Sequence, residues 1–228
     1  MPRPPSARTP SGRARRRPLA RARKIADRLA AAYPGTAKQL CALNYRNPFE
    51  LLVATILSAQ CTDERVNIVM PVLFRRFPTP QAMAAADREE LESLIRSTGF
   101  FRAKASHILG ASEAIVMRHA GEVPRSMEQL TALPGVGRKT ANVVLSVAFG
   151  LPGLPVDTHV IRLSRRLRLS DSDDPDRIEQ DLCGLFPPEQ WGAISLRLIL
   201  HGRRVCDARR PRCESCEIAD LCPSRGKF

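Results

Sequence analysis

The sequence predicts an all-α protein. Ala, Leu and Arg dominate it, β-branched runs are few, and aromatic residues make up 5% of the 228 positions, a composition that favours helix over sheet. Apolar residues recur at helical spacing along most of the chain. No stretch alternates apolar with polar residues between turn signals at strand-like intervals. With 43% hydrophobic residues, the chain can bury a core, as one large domain or two small ones.

The helices follow in order. "LARARKIADRLAAAYP" repeats apolar residues at the helical period and stops at Pro34. A second helix, from Phe49 to Ala59, is apolar on every side and is expected to be buried. An amphipathic helix opens at Thr62 and Asp63, both suited to cap it. "ADREELESLIRSTGF" is closed by Gly99, and "FRAKASHILGASEAIVMRHAG" by Gly121. "SMEQLTALPGVGRKTANVVLSVAFG" holds two short helices around a glycine-rich turn and ends at Gly150. Three more helices start near Asp157, Pro175 and Pro188, the last running into a group of cysteines. "GLPGLPVD", with Gly150, Pro152, Gly153 and Pro155, marks a domain boundary near residue 153. Trp191, Cys41, Cys61 and Cys183 fall within apolar patterns and are expected in the core.

The net charge of +13, from 36 basic and 23 acidic residues, points to nucleic acid as the partner, because a duplex carries a dense line of phosphates. Nine of the basic residues lie in the first 24 positions, which hold no acid, leaving a net +4 for the rest. Residues 1–18 read as a disordered basic arm, with a solubilising extension as the alternative. Organelle targeting is not expected, because Pro2, Pro4, Pro5, Pro10 and Pro18 break the amphipathic helix that a transit peptide needs. No apolar run reaches the ~18 residues of a membrane span, so a cytoplasmic protein is expected.

In "LPGVGRKTA", Gly135 and Gly137 allow the backbone to approach a ligand, and the helix after them offers free amides at its positive end. Arg138 adds a cation. The hairpin resembles the helix-hairpin-helix motif of DNA-repair proteins, which holds a backbone phosphate without reading sequence. Lys139 invites a second role. Arg fills 31 of the 36 basic positions, and an amine can lose its proton and attack carbon where a guanidinium cannot. Asp157 follows in "PVDTHVIRL" at the start of a new helix, where a capping carboxylate stays ionised and can stabilise positive charge or accept a proton. Lysine plus aspartate suits imine chemistry at a sugar carbon. His159, two residues on, reads as a hydrogen-bonding structural residue.

Cys206, Cys213, Cys216 and Cys222 form C-x6-C-x2-C-x5-C. Four thiolates can hold a [4Fe–4S] cube or a tetrahedral zinc, although zinc usually draws two paired knuckles and only one C-x2-C is present. Between the first two ligands lie Arg209, Arg210 and Arg212, which a bound metal would hold as a defined phosphate contact.

Taken together, "LPGVGRKTANVVL", "VDTHV" and the terminal cysteines resemble the endonuclease III family of bifunctional DNA glycosylases, over roughly residues 22–225. The resemblance implies a six-helix domain with the hairpin over 41–153 and an iron–sulfur domain formed by 19–40 and 154–228, with a DNA-binding cleft between them. It implies a bacterial base-excision-repair enzyme, monomeric and nucleoid-associated, carrying a [4Fe–4S] cluster on the four cysteines. Its substrate is then double-stranded DNA with oxidised pyrimidines or abasic sites. Lys139 attacks C1′, Asp157 assists, and β-elimination cuts the strand. Gln60, in "LSAQCTD", fills the gap left by the flipped nucleotide, and Phe100, in "TGFFRAKA", wedges the opposite strand, where a smaller aliphatic is more usual. Two rivals are weighed against this. An adenine-mismatch glycosylase carries serine in place of Lys139, a glutamate that "LVATILSAQ" lacks, and a further C-terminal domain for which no room is expected. A noncatalytic hairpin protein with zinc needs neither Lys139 nor Asp157.

Overall fold

The computed structural model describes the backbone of residues 12–227 and the side chains of residues 19–227. Among the described residues every regular element is helical, as the sequence predicts. The α-helices are α1 (Gly12–Ala32), α2 (Ala37–Leu40), α3 (Pro48–Leu57), α4 (Asp63–Arg76), α5 (Pro80–Ala84), α6 (Arg88–Ile95), α7 (Phe101–His119), α8 (Met127–Thr131), α9 (Arg138–Val143), α10 (Thr158–Arg166), α11 (Pro175–Leu185) and α12 (Trp191–Arg204). A wide π-type turn, Val144–Ala148, continues α9.

Local chemistry explains the boundaries. Asn47 accepts from the Glu50 amide and Pro48 starts α3, in which Phe49 through Leu57 are all buried. Thr62 caps α4 through the Arg65 amide at 3.2 Å, as expected. α2 and α5 are not evident in the sequence, because each is about one turn long and shows no periodicity. Their signals are caps alone: Thr36 forms a capping box with Gln39, and Thr79 accepts from the Ala82 amide ahead of Pro80. α5 thus adds a helix to the six read over 41–153.

Two expectations need correcting. Residues 1–11 of the arm lie outside the described residues, but the backbone of 12–18 is already helical and continuous with α1. Arg and Ala are good helix formers, and Pro18 removes one hydrogen bond without ending the helix. Cys41, Cys61 and Cys183 are half-buried rather than enclosed. Cys41 and Cys61 sit just beyond the ends of α2 and α3, where the chain turns toward solvent. Trp191 packs on the core edge and donates its indole N–H to the Phe186 carbonyl at 2.8 Å.

Buried side chains fall in two clusters. One runs from Leu43 to Val147. The other joins Ala22–Tyr33 of α1 to residues between Leu154 and Ile218. The N-terminal helix therefore packs with the C-terminal half, against α11 and α12. The two units are tied by side chains as well as by the 148–153 loop. Arg203 on α12 pairs with Asp63 on α4 at 2.7 Å.

Candidate active site

Leu133 and Val136 are buried and anchor the turn between α8 and α9. Gly135 between them has φ +73°, and a Cβ there would come within 2.5 Å of the His107 side chain, so both conformation and space require glycine. Gly137 differs: a Cβ on it would meet nothing within 4 Å. Its freedom faces outward, and no side chain caps the start of α9.

Lys139, the second residue of α9, is exposed. It makes no hydrogen bond or ion pair among the described residues. Arg138 beside it is placed differently. Its guanidinium donates twice to Glu179 on α11, at 2.8 Å and 2.8 Å, and Asp176 lies 3.8 Å away. A phosphate approaching Arg138 meets a cation that is already paired.

Glu179 is buried and also accepts from Asn142 Nδ2 at 2.9 Å. Asn142 Oδ1 in turn accepts the Leu154 amide at 3.1 Å. This chain of bonds fixes α9, and Lys139 with it, to α11 and to the segment that leads into Asp157. Gly153 permits the approach, since a Cβ there would lie 2.7 Å from the Asn142 carbonyl. Ser195 holds the next carbonyl, that of Pro155. Asp157 then caps α10: its Oδ1 accepts the His159 and Val160 amides at 2.8 Å and 2.9 Å. Oδ2 has no partner among the described residues and is left for a ligand.

α10 ends on the cysteines. Arg162 donates to the carbonyls of Gly202 and Cys206 and contacts His159 Nδ1 at 3.0 Å. Burial holds the His159 imidazole below its ordinary pKa, consistent with a structural role. Arg166 donates to Cys206 Sγ at 3.3 Å and to the Asp207 and Ala208 carbonyls at 2.7 Å and 2.8 Å. One helix therefore carries Asp157 at its start and grips the cysteine loop at its end.

Cys206, Cys213, Cys216 and Cys222 line a single cavity with Leu163, Leu167 and Ile218. All four are half-buried and none is in a disulfide. Arg166, Arg212 and Arg225 border the cavity and no carboxylate does. Burial and the neighbouring sulfurs push the Cys216 thiol up to about 11 and raise Cys222 as well. Four cysteines on one cavity offer a complete thiolate ligand set to a cluster, and the arginine rim suits a net-negative iron–sulfur thiolate cluster; the residues fit the group. Buried His201 sits 3.4 Å from Cys216 Sγ through Nε2 and 3.1 Å from the Tyr33 hydroxyl through Nδ1. All three loop arginines are exposed; Arg212 turns back to donate to the Arg204 carbonyl.

Gln60 and Phe100 share an unusual feature: both have left-handed backbones, φ 52° and 48°, and both are exposed. Phe100 is 66% exposed, whereas Phe101 packs on the core and lies under the Arg96 and Arg102 guanidiniums. Strain of this kind persists at functional positions when the surroundings hold it.

Asn142, Glu179, Arg162 and Arg166 were not singled out in the sequence. Asn142 carries a weak signal, one turn after Lys139 inside the motif. The others carry none, because their partners are about 40 residues away.

Residues 53–188 match the HhH-GPD superfamily of base excision DNA repair proteins, and residues 206–222 match the iron–sulfur binding domain of endonuclease III. The chain is 57% identical over 205 residues to endonuclease III of Synechocystis sp. (strain ATCC 27184 / PCC 6803 / Kazusa), covering 90% of this chain and 92% of that protein. Among solved structures, a non-covalent endonuclease III–DNA complex superposes with a TM-score of 0.85 at 44% identity, covering 92% of this chain and 97% of the other. A trapped covalent endonuclease III–DNA intermediate, an estranged-adenine complex, matches with the same TM-score of 0.85, identity of 44% and coverages of 92% and 97%. With the hairpin turn, the Asp157 cap and four cysteines on one cavity already in place, these matches show that the chain belongs to the endonuclease III family.

Proposed function

We infer that this chain is a base-excision-repair DNA glycosylase and AP lyase whose nucleophile is the Lys139 amine. One observation carries the assignment. The unpartnered amine at the start of α9 and the open carboxylate oxygen at the start of α10 are tied together by the Glu179–Asn142–Leu154 bonds. The substrate is double-stranded DNA bearing an oxidised pyrimidine or an abasic site, bound by one copy of the chain in the cytoplasm, at the nucleoid.

The damaged nucleotide must leave the stack before C1′ can be reached. Gln60 fills the gap and Phe100 wedges the opposite strand, offsetting an unstacking cost of a few kcal/mol. Amides of the Gly135–Gly137 turn hold a phosphate, and Arg209 and Arg210 hold another; Arg212 shapes their loop. Lys139 Nζ attacks C1′ as the glycosidic bond breaks and the base departs with the bonding pair. Asp157 stabilises the positive charge that develops at the sugar and takes the proton that the amine loses. The nitrogen lone pair then breaks the C1′–O4′ bond, whose oxygen takes a proton as the sugar ring opens, and the resulting iminium draws electrons from C2′, which loses a proton as the 3′ C–O bond breaks. Water then releases the amine.

Cys206, Cys213, Cys216 and Cys222 hold the [4Fe–4S] cluster, which when bound supplies a covalent cross-link rather than a reacting centre. Arg166 and Arg162 pass that rigidity to α10 and so to Asp157.

The test is incision of duplexes that each carry one lesion. Thymine glycol and abasic duplexes should be cut 3′ to the lesion, and adenine opposite 8-oxoguanine should be left intact. Excision of that adenine with thymine glycol untouched would favour the mismatch-glycosylase reading instead.

A further inference from the structure

Lys104 is a lysine buried to 3% exposure in the first turn of α7. Lysine is almost never enclosed unless its ammonium is fully used. Here Nζ donates to two backbone carbonyls, Leu57 and Thr98, each at 2.8 Å. Leu57 is the last residue of α3, three before Gln60. Thr98 ends a short 3-10 turn, two before Phe100. Both carbonyls belong to helix ends, which leave acceptors unpaired and carry partial negative charge. One cation serves both. The Lys104 amide also donates to the Phe100 carbonyl at 3.0 Å.

We propose that Lys104 is a positioning residue that locks the Gln60 and Phe100 segments into one rigid wedge. The proposal rests on the reading that those two side chains enter the duplex. Each segment holds a non-glycine residue in the left-handed region, a conformation that survives only where its surroundings over-determine it. Among the described residues, the ammonium of Lys104 bonds to both segments. Without it, two buried carbonyls lose their donor and each loop relaxes by itself. Burial also pushes the Lys104 amine below its ordinary pKa, a desolvation cost that its two carbonyl contacts must offset.

The experiment uses the full chain with its cluster and a duplex that carries 2-aminopurine beside a tetrahydrofuran abasic site. Fluorescence at saturating protein reads unstacking, and single-turnover incision of thymine glycol reads chemistry. Lys104→Met should lower both by about tenfold, the size expected of a lost coupling, and should cost nothing further in the Gln60→Ala/Phe100→Ala background. A full signal in folded Lys104→Met, or an equal loss in both backgrounds, overturns the clamp. If Gln60→Ala and Phe100→Ala themselves leave the fluorescence unchanged, the insertion reading has failed instead. Should Lys104→Met not fold, hydrogen exchange of the free protein decides: Gln60→Gly should alter protection at residues 99–101, and unchanged protection there contradicts the proposal.

Discussion

Lys139 and Arg138 are neighbours with opposite fates. The arginine is spent on Glu179, whereas the lysine faces outward with no partner among the described residues. Sequence chemistry singled out both residues but could not show that Arg138 is paired, for a physical reason. Lys139, Asp157 and the cysteines announce themselves by residue type within short motifs. The pairing of Arg138 depends on a carboxylate that the fold brings from 41 positions away. Lys104, Glu179 and Arg162 were invisible for the same reason. Two substitutions test the residue-level account. Asp157→Asn should bind abasic duplex with little loss, since the amide oxygen can still cap α10, yet should react far more slowly; unchanged single-turnover rates would remove its chemical role. Glu179→Ala should destabilise the fold by about 1–3 kcal/mol, because Asn142 loses its acceptor and Arg138 its counter-charge. Urea unfolding measures this, and a loss below a few tenths of a kcal/mol would show that the node carries no weight.

At the scale of elements, α10 is the beam of the structure. Its first residue follows the capping Asp157, and its last turn grips the cysteine loop through Arg166. A cluster on the four cysteines would thus fix the far end of the helix that presents the Asp157 carboxylate. Cys213→Ser should leave α3–α9 folded, expose the 206–222 loop to protease and lower hydrogen-exchange protection in α10. An α10 as protected as in the native chain would break this link. Most helices were legible because caps and apolar periodicity coincide, as at Thr62 and Asp157. α2 and α5 were not, since a single turn has a cap but no period. The left-handed backbones of Gln60 and Phe100 were also hidden, because neither residue type calls for that conformation.

For the whole molecule, the chain returns on itself so that α1 closes on α11 and α12. The proline–glycine segment near residue 153 lies between the two clusters of buried side chains, while the ion pairs that bridge those clusters were not readable in the sequence. Charge is unequally spread. The first 24 residues carry nine cations, so deleting residues 1–17 should weaken binding to abasic duplex mainly at low salt and flatten the dependence of log Kd on log salt. An identical slope would show that those cations do not meet the duplex. Both units are expected to act on one sugar carbon through one amine, that of Lys139. Borohydride reduction during turnover tests it most directly. A covalent adduct with abasic duplex should form, map by peptide sequencing to Lys139, and vanish in Lys139→Ala. An adduct of undiminished yield in that variant would place the nucleophile elsewhere and contradict the account.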